Sequence, residues 1–270
     1  MIRTDLALEA KELWEQDPSK TTQLQGVRAR EEGNITYVEI LDQSGAEALG
    51  KPVGTYLTLK LPAYDRNPRR PAEELAKELG NMMSLSQNQR VMIVGLGNRA
   101  VTPDALGPEA ADKIFLTRHL IKALPKQFGS CRSVSVIRPG VLATTGIESL
   151  ELVRGAADHV KPDCILCIDA LAAGSVDRLC NTIQCTTSGI APGSGVGNCR
   201  APFSRETLGV PVYAVGVPTV VDAGTDHPMI VTPRDIDEQI RYLAAVLAGG
   251  INLVLHPEFS YEDFVQFVPQ

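Results

Sequence analysis

The chain has 270 residues, 44% of them apolar and only 5% aromatic. That suits one large domain, or one domain with a substantial extension, whose core is built from Val, Ile, Leu and Ala. A net charge of −6, a pI near 5.3 and the lack of a long basic run argue against direct binding to a nucleic-acid backbone, which needs clustered Lys and Arg. The start of the chain shows no apolar segment of signal-peptide length, and nothing approaches the roughly 18 uninterrupted apolar residues of a membrane span. The expected compartment is therefore the cytoplasm.

Residues 1–84 read as an N-terminal extension. Leu6, Leu8, Leu13 and Trp14 mark a helical start, which gives way to a polar stretch from Gln16 to Gln25. Two strands are predicted at 35–40 and 55–61 from their partial period-two alternation. The proline- and arginine-rich piece Pro62 to Pro71 reads as a loop, and Leu75 to Leu85 as a helix leading into the core. From Arg90 onward strand and helix signals alternate, with strands predicted at 90–95, 133–137, 164–168 and 212–217. A helix from Pro108 to Leu124 has proline in its first turn and apolar positions Ala111, Ile114, Phe115, Ile121 and Leu124. A second opens on Thr145-Gly-Ile-Glu148, a capping-box pattern. A third opens on Thr232-Pro233 and carries Ile236, Ile240, Leu243 and Leu247 on one face. This order predicts an α/β fold over residues 85–270, a three-layer core with a mostly parallel sheet flanked by helices, joined to the β-containing extension. The aromatic C-terminal piece from His256 to Gln270 is expected to pack on the body or on a neighbouring subunit.

Six cysteines in a chain of this size without an export signal do not suggest a disulfide framework. Cys164-Ile-Leu-Cys167 has CxxC spacing, but it lies in an apolar strand where residues three apart point to opposite faces. No second CxxC completes a zinc site, so the cysteines read as small buried apolar residues and no metal is expected. Gly95-Leu-Gly-Asn98 follows a strand, yet position 100 is Ala and the loop continues through Thr102-Pro103, so a dinucleotide turn is not expected. It reads as a sharp turn that lets the next segment enter a cleft. A second glycine-rich loop, Gly193-Ser-Gly-Val-Gly197, lacks the Lys-Ser/Thr of a phosphate loop. It suits either close backbone approach to an extended peptide or a tight turn.

Two aspartates stand out. Asp104 lies in the connection after the strand at 90–95, within Thr102-Pro-Asp-Ala-Leu-Gly-Pro108, and Asp169 lies just past the strand predicted at 164–168. In open α/β sheets, groups at the carboxyl ends of strands converge on one crevice. Two carboxylates meeting there can activate a water molecule, one acting as base and the other as acid, provided proximity splits their pKa values. A helix cap for Asp104 and a turn role for Asp169 are the structural alternatives. His119 reads as a surface or packing residue. Asp222 and His227, past another strand end, are candidates for a third polar group or a metal ligand. There is no GxSxG, and Ser194 has no evident histidine partner.

Several longer motifs occur in one order: Val94-Gly-Leu-Gly-Asn98, Thr102-Pro-Asp-Ala-Leu-Gly-Pro108, Arg138-Pro-Gly-Val141, Thr145-Gly-Ile-Glu148, Ile168-Asp-Ala-Leu-Ala-Ala173, Pro192-Gly-Ser-Gly-Val-Gly-Asn198 and Gly216-Val-Pro-Thr-Val-Val-Asp222. With Arg3-Thr-Asp-Leu-Ala7, they resemble the germination protease (spore endopeptidase) family of spore-forming bacteria. The resemblance implies an atypical aspartic-type endopeptidase, similar in fold to the hydrogenase maturation proteases, whose equivalent carboxylates bind nickel in their substrate. It implies catalytic roles for Asp104 and Asp169, no cofactor, and small acid-soluble spore proteins as substrates during germination in the spore core. It also implies assembly as a homotetramer. The family is made as a self-processing zymogen that cuts after an acidic residue. Thr4-Asp5-Leu6-Ala7 resembles that processing site, so cleavage is expected between Asp5 and Leu6, removing a leader shorter than the family's. Gly193, Ser194, Gly195 and Asn198 are the candidate substrate-binding residues. The rival readings are a metal-dependent hydrolase with Asp104, Asp169 and His227 as ligands, a hydrogenase-maturation-like protease, and a non-catalytic module that binds spore proteins.

Overall fold

In the computed structural model, residues 3–20, 23–62, 67–197, 200–223 and 229–268 are described. The strands are β1 (Val27–Glu32), β2 (Ile35–Ile40), β3 (Gly54–Lys60), β4 (Val91–Gly95), β5 (Val134–Ile137), β6 (Cys164–Ala173), β7 (Thr182–Thr186), β8 (Val212–Asp222) and β9 (Ile230–Val231). They form one sheet in the order β1-β2-β3-β7-β8-β6-β4-β5, with β9 pairing onto β8. Strands β5, β4, β6 and β8 run parallel, and β7, β3, β2 and β1 continue the sheet in antiparallel pairs. The helices are α1 (Ala7–Gln16), α2 (Gln43–Leu49), α3 (Arg69–Met83), α4 (Leu106–Asp112), α5 (Arg118–Ala123), α6 (Pro125–Phe128), α7 (Leu142–Thr145), α8 (Ser149–Val160), α9 (Arg205–Leu208), α10 (Ile236–Leu255) and α11 (Tyr261–Phe267).

Three layers result, as the alternation of elements implied. The central strands are apolar throughout because helices cover both of their faces. Val91, Ile93, Cys164, Leu166 and Ile168 pack toward α3, α4 and α10, whereas Met92, Val94, Ile165 and Cys167 pack toward Leu150 and Val153 of α8. The two cysteines of the CxxC thus sit on opposite faces of β6. Helices α1 and α2 extend the second layer over Val38, Ile40 and Tyr56 of β2 and β3. Residues on both sides of position 84 contribute to the same sheet and core: β3 pairs with β7, and Leu75 and Leu79 of α3 lie in one cluster with Leu243 and Leu247 of α10. Cys131, Cys164, Cys167, Cys180 and Cys185 are buried and free, and Cys199 lies outside the described residues.

Several sequence-based boundaries need correction. The helix expected from Pro108 to Leu124 is two helices, α4 and α5, because buried Asn252 of α10 intervenes. Its amide donates to the Lys113 carbonyl at 2.9 Å and accepts from Phe115 N–H at 2.9 Å, diverting the chain. The Thr145–Glu148 capping box does not form. The Thr145 hydroxyl serves the carbonyls of Val141 and Ile147, and α8 begins at Ser149 without a side-chain cap from Glu148. Thr232 does not open α10 either; its hydroxyl donates to the Thr219 carbonyl at 2.8 Å, and the helix starts at Ile236. The C-terminal aromatics do pack on the body, with Phe259, Phe264 and Phe267 gathered around Phe115.

Asn252→Ala leaves a buried N–H and a buried carbonyl without their partner, which costs about 1–3 kcal/mol. Urea unfolding of this variant is expected to show a lower midpoint with an unchanged m-value.

Candidate active site

Strand β4 stops at Gly95, while its neighbour β6 runs on to Ala173 and β8 to Asp222. Asp169 therefore lies within β6 and not past its end, a correction to the sequence reading. The parallel ladder with β8 continues through a bulge at Leu171/Ala172, which keeps the chain extended beyond the expected stop. Because β4 ends early, that continuation is open to the loop that follows β4. This loop turns at Gly97 with φ +112°, and a Cβ there would lie 2.1 Å from the Asp104 carbonyl oxygen. Only glycine permits so close an approach. The turn aims Asn98 N–H at Asp104 Oδ2, 2.7 Å away. Asp104 closes a short 3₁₀ turn, Thr102–Asp104, held to β8 by the Thr219 hydroxyl on the Pro103 carbonyl at 2.7 Å.

Asp104 and Asp169 both line a cavity of about 530 Å³. Asp169 is buried, and its Oδ1 accepts from Ala170 N–H at 2.9 Å. Burial raises its carboxyl well above the usual carboxylate range, and the charges of Asp104 and Asp5 push it further. Burial raises Asp104 as well, but the Asn98 N–H opposes that by favouring its ionised form. Both carboxyls are thus shifted upward, Asp169 the more strongly, and two nearby carboxyls of unequal proton affinity are what general acid–base work on a water molecule requires.

The segment Thr4–Leu6 docks on the part of β6 that outruns β4. Asp5 N–H donates to the Ala172 carbonyl at 2.8 Å, and Ala172 N–H donates back to Asp5 Oδ2 at 2.9 Å. The Ser194 hydroxyl donates to Asp5 Oδ1 at 2.5 Å. Gly195 packs so closely that a Cβ would fall 2.3 Å from Asp5 Oδ2. The Gln184 amide spans the Asp5–Leu6 peptide, donating to the Asp5 carbonyl at 3.1 Å and accepting from Ala7 N–H at 2.8 Å. Leu6 is fully buried against Leu171, Ala173 and Val221. Lys51 donates to the Thr4 carbonyl at 2.7 Å; burial lowers its pKa, while the charges of Asp5 and Glu9 oppose that shift. Asp5 lines both the cavity of the two aspartates and a second one of about 570 Å³ lined by Tyr56, Thr186 and Ser188, and so does Leu171, so the two residues border both cavities.

Of the candidate substrate-binding residues, Gly193 lines the first cavity, and Ser194 and Gly195 meet Asp5; Asn198 lies outside the described residues, as does His227. Asp222 ends β8 opposite Ile230 and is not among the residues lining the aspartate cavity. His119 is exposed on α5. Sequence reasoning missed Gln184 and Lys51. Gln184 sits on β7, a strand that was not predicted, and no local pattern ties either residue to position 5. Only the fold brings them there.

The germination protease family model matches residues 7–227. The chain belongs to the germination protease family. A germination protease from Caldanaerobacter subterraneus subsp. tengcongensis is 42% identical over 99% of this chain and 98% of its own length. One from Bacillus cytotoxicus is 45% identical over 92% of this chain and 70% of its own. Among solved structures, a NiFe hydrogenase maturation protease from Thermococcus kodakarensis KOD1 matches with a TM-score of 0.39 and 21% identity, covering 63% of this chain and 96% of that one. Membership makes this germination protease relative a peptidase. No helix among the described residues is long and apolar enough to cross a membrane.

A carboxyl that titrates higher when folded binds more protons in the native state across the interval between its two pKa values, so stability falls as pH rises through that interval. For Asp169 the interval begins at the ordinary carboxylate value and extends well above it. Asp169→Asn keeps an oxygen for Ala170 N–H and carries no charge. Thermal unfolding is expected to show this variant at least as stable as the wild type at pH 7, with the difference shrinking toward pH 4.

Proposed function

We propose that this protein is an endopeptidase of spore germination that cuts small acid-soluble spore proteins after an acidic residue, with water activated between Asp104 and Asp169. The observation that carries the reading is the grip on Asp5. Its carboxylate meets the Ser194 hydroxyl and Ala172 N–H beside the cavity lined by Asp104 and Asp169. Asp5 is the acidic residue that precedes the expected processing cut, so the same contacts suit the acidic residue of a substrate. The Gln184 amide on the Asp5 carbonyl suits the carbonyl that is attacked.

In the proposed reaction, ionised Asp104 takes a proton from water, whose oxygen attacks the carbonyl carbon. Neutral Asp169 donates its proton to the carbonyl oxygen. As the tetrahedral intermediate collapses, one of its hydroxyls returns a proton to Asp169, the C–N bond breaks, and the leaving amine takes the proton held by Asp104. Both carboxyls are shifted upward, and the stronger shift at buried Asp169 supports this division of roles over the reverse. Cleavage of the chain's own Asp5–Leu6 bond would be the zymogen's self-processing. Homotetrameric assembly and a spore-core location are extended to this chain on family membership.

The test uses the full chain with a purified small acid-soluble spore protein. The wild type is expected to cut after acidic residues and to acquire Leu6 as its new N-terminus. Asp104→Asn and Asp169→Asn are each expected to lose both activities by about 10²–10⁴-fold, the usual contribution of a positioned acid or base. Ser194→Ala is expected to weaken discrimination between acidic and neutral residues before the cut while retaining cleavage. Full activity in either asparagine variant would remove the two-aspartate mechanism, and an intact Met1 in active protein would remove obligatory processing.

A further inference from the structure

Away from the aspartate cavity, three side chains with metal-binding chemistry come together. Donor atoms of Cys131, His256 and Glu258 all lie within 4.8 Å of one another, and they are the one such group among the described residues. Cys131 sits in the loop between α6 and β5, His256 caps the end of α10, and Glu258 follows before α11. Nothing in the proposed peptidase chemistry uses them.

His256 is the observation that needs an explanation. Its side chain is fully buried, yet neither ring nitrogen makes a hydrogen bond of ordinary geometry, and its polar neighbours, the Phe115 backbone and the Glu258 carboxylate, make only weak contacts. Its Nδ1 lies 3.8 Å from Glu258 Oε1, beyond hydrogen-bond reach. The ring is fixed edge-on against Phe115 at a centroid distance of 5.3 Å and tilted against Phe259 and Phe264, so it cannot swing out to water without breaking that cluster. Buried polar groups in native proteins are normally satisfied, and an orphaned one points to a partner of another kind. A metal ion accepts the lone pair of a neutral imidazole, and the neighbouring thiol and carboxylate supply further donors.

We propose that Cys131, His256 and Glu258 form a zinc site with water in the fourth position, tying the end of α10 to the loop that feeds β5. The donor set selects the metal: thiolate and imidazole suit zinc, whereas calcium and magnesium prefer oxygen ligands throughout. Tetrahedral bonds of about 2.0–2.3 Å place ligand atoms roughly 3.3–3.8 Å apart. With all donor atoms within 4.8 Å of one another, and His256 Nδ1 already 3.8 Å from Glu258 Oε1, the trio must close by no more than about 1 Å. Binding replaces the Cys131 S–H bond with a sulfur–zinc bond and releases the proton to solvent. Thiolate and carboxylate together match the two positive charges of the ion. Arg132, the neighbouring cation, is engaged by the carbonyls of Leu255 and Ser86.

The position favours a structural role. Val134 begins β5 just after Cys131, and the neighbouring Ser133 carbonyl accepts from Val91 N–H at the start of β4. The site therefore lies at the amino ends of the parallel strands, whereas Asp104 and Asp169 lie toward their carboxyl ends.

The test titrates metal-free full-length protein with cobalt(II), a spectroscopic substitute for zinc. One equivalent is expected to produce a thiolate-to-cobalt charge-transfer band that zinc then removes. Cys131→Ser should abolish the band. Glu258→Gln, a partly exposed position whose folding circular dichroism can verify, should weaken binding by more than the roughly 10-fold that loss of an outer-shell partner costs. Zinc should raise the unfolding temperature of the wild type and leave that of Cys131→Ser unchanged. Absence of the band, its persistence in Cys131→Ser, or equal affinity in folded Glu258→Gln would overturn the proposal.

Discussion

Burial of a carboxyl group inside a parallel strand is the constraint on which the candidate site depends. Asp169 interrupts an otherwise apolar β6, and a fully buried ionised carboxylate is too costly to keep without compensation. The fold supplies one neutral N–H, from Ala170, and places two further carboxyls nearby. The outcome is an Asp169 carboxyl that holds its proton to higher pH than an ordinary aspartate. Burial raises Asp104 as well, but the Asn98 N–H at the cavity wall opposes the shift. The asymmetry between the two arises from their positions, one within a strand and one on a turn at the helix entrance.

The same strand-length mismatch creates both the cavity and the docking edge. Had β4 matched β6 in length, Asp169 would face a neighbouring strand, and the segment carrying Asp5 would have no backbone to pair with. The early stop follows from the sequence after Val94, where Gly97 admits a turn that any side chain would block. A glycine turn, a short 3₁₀ turn and a long neighbouring strand are thus parts of one arrangement.

Much of this was legible in the sequence. The apolar runs at 90–95 and 164–168 and the periodicity of 236–247 gave the α/β layering, because both signals come from burial that repeats along the chain. That Asp104 and Asp169 would share one crevice was legible because polar residues beside such runs are informative. Other features had no local signal. Strand β7, with Gln184 on it, reads as a mixed polar stretch, and its place between β3 and β8 is set by tertiary pairing. The break between α4 and α5 is made by Asn252, far away in sequence. Likewise, Cys131 and His256 meet only because α10 crosses the whole layer and ends beside the loop into β5.

The contacts of the N-terminal segment divide unequally about the Asp5–Leu6 bond. On the carboxyl side, Leu6 is buried, Ala7 N–H is held by Gln184, and the Glu9 carboxylate accepts from Gly174 N–H at 2.6 Å and Ser175 N–H at 3.1 Å. These hold α1 in place whether or not the bond is intact. On the amino side, the described anchors are the Asp5 contacts with Ala172, Ser194 and Gln184, the Lys51 bond to the Thr4 carbonyl, and the Thr4 hydroxyl, which donates to the Glu9 carboxylate and accepts from Leu6 N–H. On the proposed reading, a cut at this bond releases only the second set. The body of the protein would keep its fold, while Asp5 would leave the boundary between the two cavities and Leu171 of β6 would stay there. Lys51, Ser194 and Ala172 N–H would then be free to meet an incoming acidic side chain. Leader removal and substrate recognition are in this sense one event seen from two sides, because the groups that hold the leader's aspartate are the groups that would read the substrate's.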